Sequence, residues 1–101
     1  DRMLRDPRAV MRIEEATIGP ESELVGKTLE QARPEERTHT TVLAVRRAGE
    51  ERFVYNPRPV QKLESGMTLV ALGEVSAVLK LRKLAEGGAE PSGDDTESAT
   101  E

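Results

Sequence analysis

TTVLAVRR (residues 40–47), then Ala48-Gly49-Glu50, then ERFVY (residues 51–55) is the stretch that decides the fold. β-Branched and aromatic residues crowd both runs, and a short glycine-bearing connection between such runs predicts a β-hairpin. Val42 and Ala44 would lie on one face of the first strand, Leu43 and Val45 on the other. Apolar side chains on both faces predict a central strand covered from two sides, by a helix of this chain and by a second chain. Asn56-Pro57-Arg58-Pro59 ends the hairpin, because proline has no N–H to give to a ladder.

Downstream, Ser65-Gly66 predicts a turn into MTLVAL (residues 67–72), another strand apolar on both faces, which Gly73 closes. Residues 74–85 then read as a helix with a buried stripe of Ala77, Val78, Leu81, Leu84 and Ala85. Glu74 complements its N-terminus, and Gly87-Gly88 supplies the stop. Upstream of the hairpin, Thr28 and Gln31 form a T-x-x-Q capping box that starts a short helix, with Leu29 and Ala32 inward and Leu24 and Val25 packed beside it. Pro34 is expected to end that helix. MRIEEATI (residues 11–18) is a strand with a phase change between Ile13 and Ala16, and a bulge is expected near Glu14–Glu15. The order is β-α-β-β-β-α: a small α+β domain, mostly antiparallel sheet with two helices.

Composition bounds what such a domain can do. The chain has 101 residues, 34% of them charged, no Cys and one His. Disulfides, thiolate zinc sites and cysteine nucleophiles are therefore excluded, as is an all-histidine metal site within one copy. No apolar run approaches the roughly 20 residues of a membrane-spanning helix. The formal net charge is -4, but residues 87–101 carry five acids (Glu90, Asp94, Asp95, Glu97, Glu101) and no base. The remaining positions hold 15 basic against 14 acidic residues, close to neutral. That acidic segment, without aromatics, is expected to be a disordered tail. Residues 1–10 are read as a linker from a missing upstream domain, with Asp6-Pro7 suited to starting a short helix.

Catalytic chemistry finds no footing. Ser22, Ser65 and Ser76 have only His39 as a base, without a nucleophile elbow. Gly66 and Gly73 make no phosphate loop. The acidic pairs Glu14-Glu15, Glu35-Glu36 and Glu50-Glu51 sit where charges face water; of these, Glu35 and Glu36 with His39 could ligate a divalent cation. Nucleic acid is excluded as a partner at this point, because a basic field is lacking and Phe53 and Tyr55 are the only aromatic residues.

The ordered set LVGKTLEQA (residues 24–32), VLAVRRAGE (42–50), Asn56-Pro57 and LESGMTLVALG (63–73) with its closing helix resembles the C-terminal domain of the RCK family, regulators of potassium conductance, also called the TrkA-C domain. The resemblance covers residues 11–86. Many members carry Asp where this chain has Met67, at a position that serves a turn. The family implies a non-enzymatic, dimerising domain on the cytoplasmic side of the membrane, following a nucleotide-binding RCK (TrkA-N) domain. It implies regulatory ligand binding that gates a potassium channel or uptake transporter through rearrangement of the dimer. The partners are then a second copy, the upstream domain and a membrane pore; the alternative is a ligand-free structural dimerisation module.

In several members of that family the cleft between two C-terminal domains binds cyclic di-AMP, lined by the segment that is residues 33–43 here. Those members show an Ile-Arg pair and an Asn; this chain offers Arg33-Pro34-Glu35, then Arg37, His39 and Thr41. The candidate ligand-binding residues are accordingly Arg33, Pro34, Arg37, His39, Thr41 and Leu43. Paired guanidinium groups suit phosphate oxygens, and Pro34 with Leu43 would supply an apolar wall. Glu35 and Glu36 favour the competing ligand, a divalent cation. Should neither pair matter, Arg46, Asn56 and Arg58 at the hairpin's far end are the next candidates, with Arg46 and Arg47 expected to be exposed.

Overall fold

A four-stranded antiparallel sheet organises the computed structural model, which describes residues 10–87. β1 (Met11–Thr17), β2 (Thr41–Arg46), β3 (Val54–Tyr55) and β4 (Thr68–Glu74) stand in the order β1-β4-β2-β3. Two short helices, α1 (Leu29–Ala32) and α2 (Pro34–Thr38), lead from β1 to β2, and α3 (Val75–Glu86) follows β4. This is the expected α+β order with its first helix divided in two. The readings of residues 1–10 as a linker and 87–101 as an acidic tail lie, apart from Val10 and Gly87, outside the described residues.

The capping box forms as the spacing predicts: the Thr28 hydroxyl accepts from Gln31 N–H at 3.1 Å, and Gln31 Oε1 accepts from Thr28 N–H at 2.9 Å. Pro34 does not simply stop the helix. Arg33 turns into the left-handed region (φ 53°), closing α1 and opening α2. Pro34 then occupies the first turn of α2, where a missing N–H leaves no bond unmade. Residues after α2 run straight into β2, so this break sets the direction of the whole segment.

Partners across an antiparallel ladder point to the same face. Ala16 with Leu69, and Val42 with Ala71, are such pairs, and all four are buried under α3 beside Leu81, Leu84 and Ala85. The stripe predicted for α3 is the stripe it buries, and Gly87 ends it at φ 97°. Ile18, Leu24 and Leu63 complete this core. The opposite face carries Ile13 paired with Leu72, and Val70 opposite both Glu15 and Ala44. Ile13 is 62% exposed there, and Val70 and Leu72 are half-buried.

Three strand expectations are corrected. β1 pairs with β4 over seven consecutive residues without a bulge, since Ile13 and Ala16, an odd number apart, simply belong to opposite faces. The irregularity lies in β2, where the register against β4 shifts between Val42 and Ala44 and leaves Leu43 without a β4 partner. The bulge explains why Val42 and Val45, three positions apart, are both buried on the α3 face, while Ala44 is buried on the other face opposite Val70. The hairpin connection is also longer than three residues: only Val54 and Tyr55 pair with β2, opposite Val45 and Ala44. Gly73 does not close β4 but sits inside it, where a Cβ would meet Thr40 Cγ2 at 3.1 Å and Ala77 Cβ at 3.4 Å. It is there for close approach.

Candidate functional site

The segment from Arg33 to Leu43 is built around Glu35. Its Oε2 accepts from the Val42 N–H at 2.6 Å, and its main-chain carbonyl accepts from His39 N–H at 2.8 Å and Thr40 N–H at 3.3 Å. One acidic residue thus fastens α2 to the start of β2. Thr38 Oγ1 donates to Pro34 O and lies 2.8 Å from Thr40 Oγ1, so these two buried hydroxyls are satisfied internally. His39 takes the left-handed conformation (φ 62°) as the last residue of α2 closes.

The arginines of this segment face carboxylates. Arg33 Nη2 lies 2.5 Å from Glu36 Oε1 on the exposed surface, and Arg37 pairs with Glu23. Glu23 was not legible as a partner, because nothing in the sequence brings residue 23 to residue 37. The pyrrolidine of Pro34 is fully buried, so it packs inward rather than offering a wall. Thr41 is exposed and Leu43 half-buried. Two separate hollows divide these residues. Arg33 and Pro34 line one of about 560 Å³ with Leu29, Glu30, Glu36 and Pro59. His39 and Thr41 line another of about 310 Å³ with Leu72, Ser76 and Lys80. Arg37 and Leu43 line neither, so a single copy does not gather the six candidates into one pocket. Among the described residues no three His or acidic side chains converge to hold a metal ion. Glu35 is engaged with backbone and Glu36 with Arg33.

Elsewhere, residues with chemical potential have structural tasks. Ser22 Oγ is buried, donating to Leu84 O at 2.9 Å and accepting from Leu24 N–H at 3.1 Å. Met67 does serve its turn: its sulfur accepts from Glu64 N–H at 3.1 Å, taking over the acceptor role a carboxylate could play. Arg46 is half-buried rather than exposed, lying 5.1 Å from the centre of the Phe53 ring and 3.4 Å from Thr68 Oγ1. At the hairpin's far end Arg47, Tyr55, Asn56, Arg58, Val60 and Lys62 surround a hollow of about 440 Å³. Lys62 had no sequence signal; it arrives through its bridge to Thr28.

No helix among the described residues is long and apolar enough to cross a membrane. Comparison with curated proteins finds no match. The fold is shared with solved structures. The RCK_C domain dimer of S. agalactiae BusR in complex with c-di-AMP aligns at TM-score 0.64 and 21% identity, over 71% of this chain and 92% of that one. The GsuK channel bound to NAD aligns at TM-score 0.64 and 19% identity, over 74% of this chain but only 13% of that one. The RCK C domain of the potassium transport protein KtrA in complex with c-di-AMP aligns at 0.56 and 20% identity, over 82% and 91%.

The exclusion of nucleic acid as a partner does not stand for this fold. BusR is also solved in complex with its busAB promoter DNA, aligning at TM-score 0.66 and 22% identity over 86% of this chain and 44% of that one. Charge balance and aromatic count describe one domain's surface, whereas more than half of that DNA-bound chain lies outside the shared fold. The TrkA-C domain model matches residues 13–86, and the chain belongs to the TrkA-C domain family.

Proposed function

We propose that this chain is the regulatory C-terminal module of a potassium channel or potassium-uptake system, acting as a symmetric homodimer on the cytoplasmic side of the membrane. The observation that carries the reading is the open sheet face, where Ile13 is exposed and Val70 and Leu72 are half-buried, with no helix or strand among the described residues packed across them. A two-fold contact covers such a face on both copies with one patch. The patch adjoins Thr41, the β2 partner of Leu72, so two copies packed there bring their 33–43 segments toward one axis. The RCK_C dimer of BusR and the potassium transport protein KtrA support this assembly and setting.

The ligand proposed for that axis is cyclic di-AMP, which both of those neighbours hold. Arg33 and Arg37 would exchange Glu36 and Glu23 for phosphate oxygens, a swap between partly exposed ion pairs that costs little. His39, Thr41, Leu43 and the backbone around Pro34 complete the lining. A ligand bridging two copies acts by preferring one angle between them, and a preference of ~100-fold supplies under ~3 kcal/mol per site. A second reading, a dimerisation module without ligand, is favoured by the same two arginines being already paired and by the burial of Pro34.

Sedimentation followed by calorimetry with cyclic di-AMP tests both. The expected result is a dimer at micromolar concentration that releases or absorbs heat with one ligand per two chains. A monomer at high micromolar concentration overturns the assembly, and a stable dimer with no heat leaves the ligand-free module.

A further inference from the structure

The hollow at the far end of the hairpin has a character unlike the 33–43 segment. Arg47, Arg58 and Lys62 line it, and no acidic side chain does. Among the described residues Arg58 and Lys62 have no carboxylate partner, and Arg47 has only the exposed Glu50 at 3.8 Å. All three are exposed, and Arg47 and Lys62 also line a neighbouring hollow with Glu50 and Glu64, so the surplus of positive charge is confined to this side of them. The 560 Å³ hollow, by contrast, places one arginine among three glutamates.

The backbone bearing two of these cations is stapled down. Pro59 O accepts from Glu30 N–H at 2.9 Å, Gln61 O from Leu29 N–H at 2.9 Å, and Lys27 O from Leu63 N–H at 2.8 Å. Asn56 is held at φ 54°, its N–H bonded to Leu43 O at 2.7 Å, which turns the chain from β3 into this loop. A left-handed non-glycine residue fixed by its surroundings marks a place where loop geometry is imposed. The backbone that carries Arg58 and Lys62 is therefore placed before any ligand arrives, which confines the ordering cost of binding to the side chains. At its mouth Tyr55 is 73% exposed and Val60 69% exposed, an aromatic ring and an aliphatic side chain facing water.

We infer that this hollow is a second ligand site, taking a nucleoside polyphosphate: Arg47, Arg58 and Lys62 hold the phosphates, and the base lies on the Tyr55 ring. Guanidinium groups grip phosphate oxygens two at a time, and a lysine adds a point charge. A flat heterocycle covers an exposed aromatic face that an inorganic anion alone would leave wet. None of the site's cations belongs to residues 33–43, although the two regions adjoin: Asn56 bonds Leu43, and Pro59 lines the hollow that holds Arg33.

Calorimetry of the whole chain with ATP, tripolyphosphate and adenosine separates the contributions. ATP and tripolyphosphate are expected to bind, with affinity falling at least tenfold between 50 and 200 mM salt as roughly three phosphate contacts are screened. The double variant R58A/K62A should weaken both at least tenfold, whereas Y55A should weaken ATP several-fold and leave tripolyphosphate unchanged. Folding of each variant is checked by circular dichroism, and R58A or K62A alone provides a milder substitute if the double variant is unstable. No binding of ATP at low salt overturns the inference. So does adenosine binding as tightly as ATP, or undiminished binding in folded R58A/K62A. If the unmodified chain binds cyclic di-AMP, loss of that binding in R58A/K62A would make the two sites one and overturn their separateness, and its retention supports it; if it does not, the ATP and tripolyphosphate results decide the inference alone.

Discussion

Residues 69–72 of β4 alternate between two surroundings. Leu69 and Ala71 turn toward α3 and lose all contact with water, while Val70 and Leu72 turn the other way and keep some of it. All four are apolar, and the pleat alone separates them. What distinguishes the faces is supply: one helix of twelve residues covers the first, and no helix among the described residues packs across Val70 and Leu72 on the second. Burial in a small domain is thus decided by the number of covering elements, and the surplus apolar face goes with a single long helix among the described residues.

Substitutions on either side of the sheet put numbers on that contrast. Leu69→Ala, in the fully buried core, is expected to cost about 2–5 kcal/mol, read as a drop in the urea midpoint with unchanged slope. Glu35→Ala leaves the Val42 N–H without its acceptor and should cost about 1–3 kcal/mol; Glu35→Gln, which keeps an oxygen there, should recover much of it. Thr28→Ala removes the helix cap for about 1 kcal/mol, and Thr28→Ser should restore it. A double-mutant cycle on Arg33 and Glu36 should return less than about 1 kcal/mol, because both ends are exposed. Ile13→Glu, on the open face, should leave the unfolding free energy of the monomer within about 0.5 kcal/mol while raising the dimer dissociation constant tenfold or more in sedimentation. Equal stability losses at Ile13 and Leu69 would erase the distinction between the faces.

Local signals in the chain were readable where their cause is local. The Thr28–Gln31 box, the α3 stripe and Gly87 depend on neighbours within one or two turns, and each is found where the spacing put it. The β2 bulge was misplaced onto Glu14–Glu15 because a phase change looks the same whether a strand bulges or swaps faces. Only the partner register shows that β1 is regular and β2 is not. The candidate segment was legible as a connection of arginines and glutamates, but not the way they neutralise one another. The Arg37–Glu23 pair and the Glu35 bond to Val42 join residues 14 and seven positions apart in the chain. Arg58 could be noticed beside its prolines, yet its kinship with Lys62 and Arg47 exists only after the loop folds back on α1.

Arg82 reaches across from α3 and donates to the main-chain carbonyl of Glu15 through Nε at 3.3 Å and Nη2 at 2.9 Å, while also touching Glu14 Oε1 at 3.4 Å. β1 is an outer strand, and Ile18 just beyond it spends its own N–H and carbonyl on the β4 side, at Met67 O and Gly66 N–H. By alternation the Glu15 carbonyl looks outward, where the next strand of an endless ribbon would have to bond. A guanidinium already seated there makes the sheet a poor template for its own continuation. The proposed dimer would then form face to face, because the β1 edge is closed to pairing with another copy.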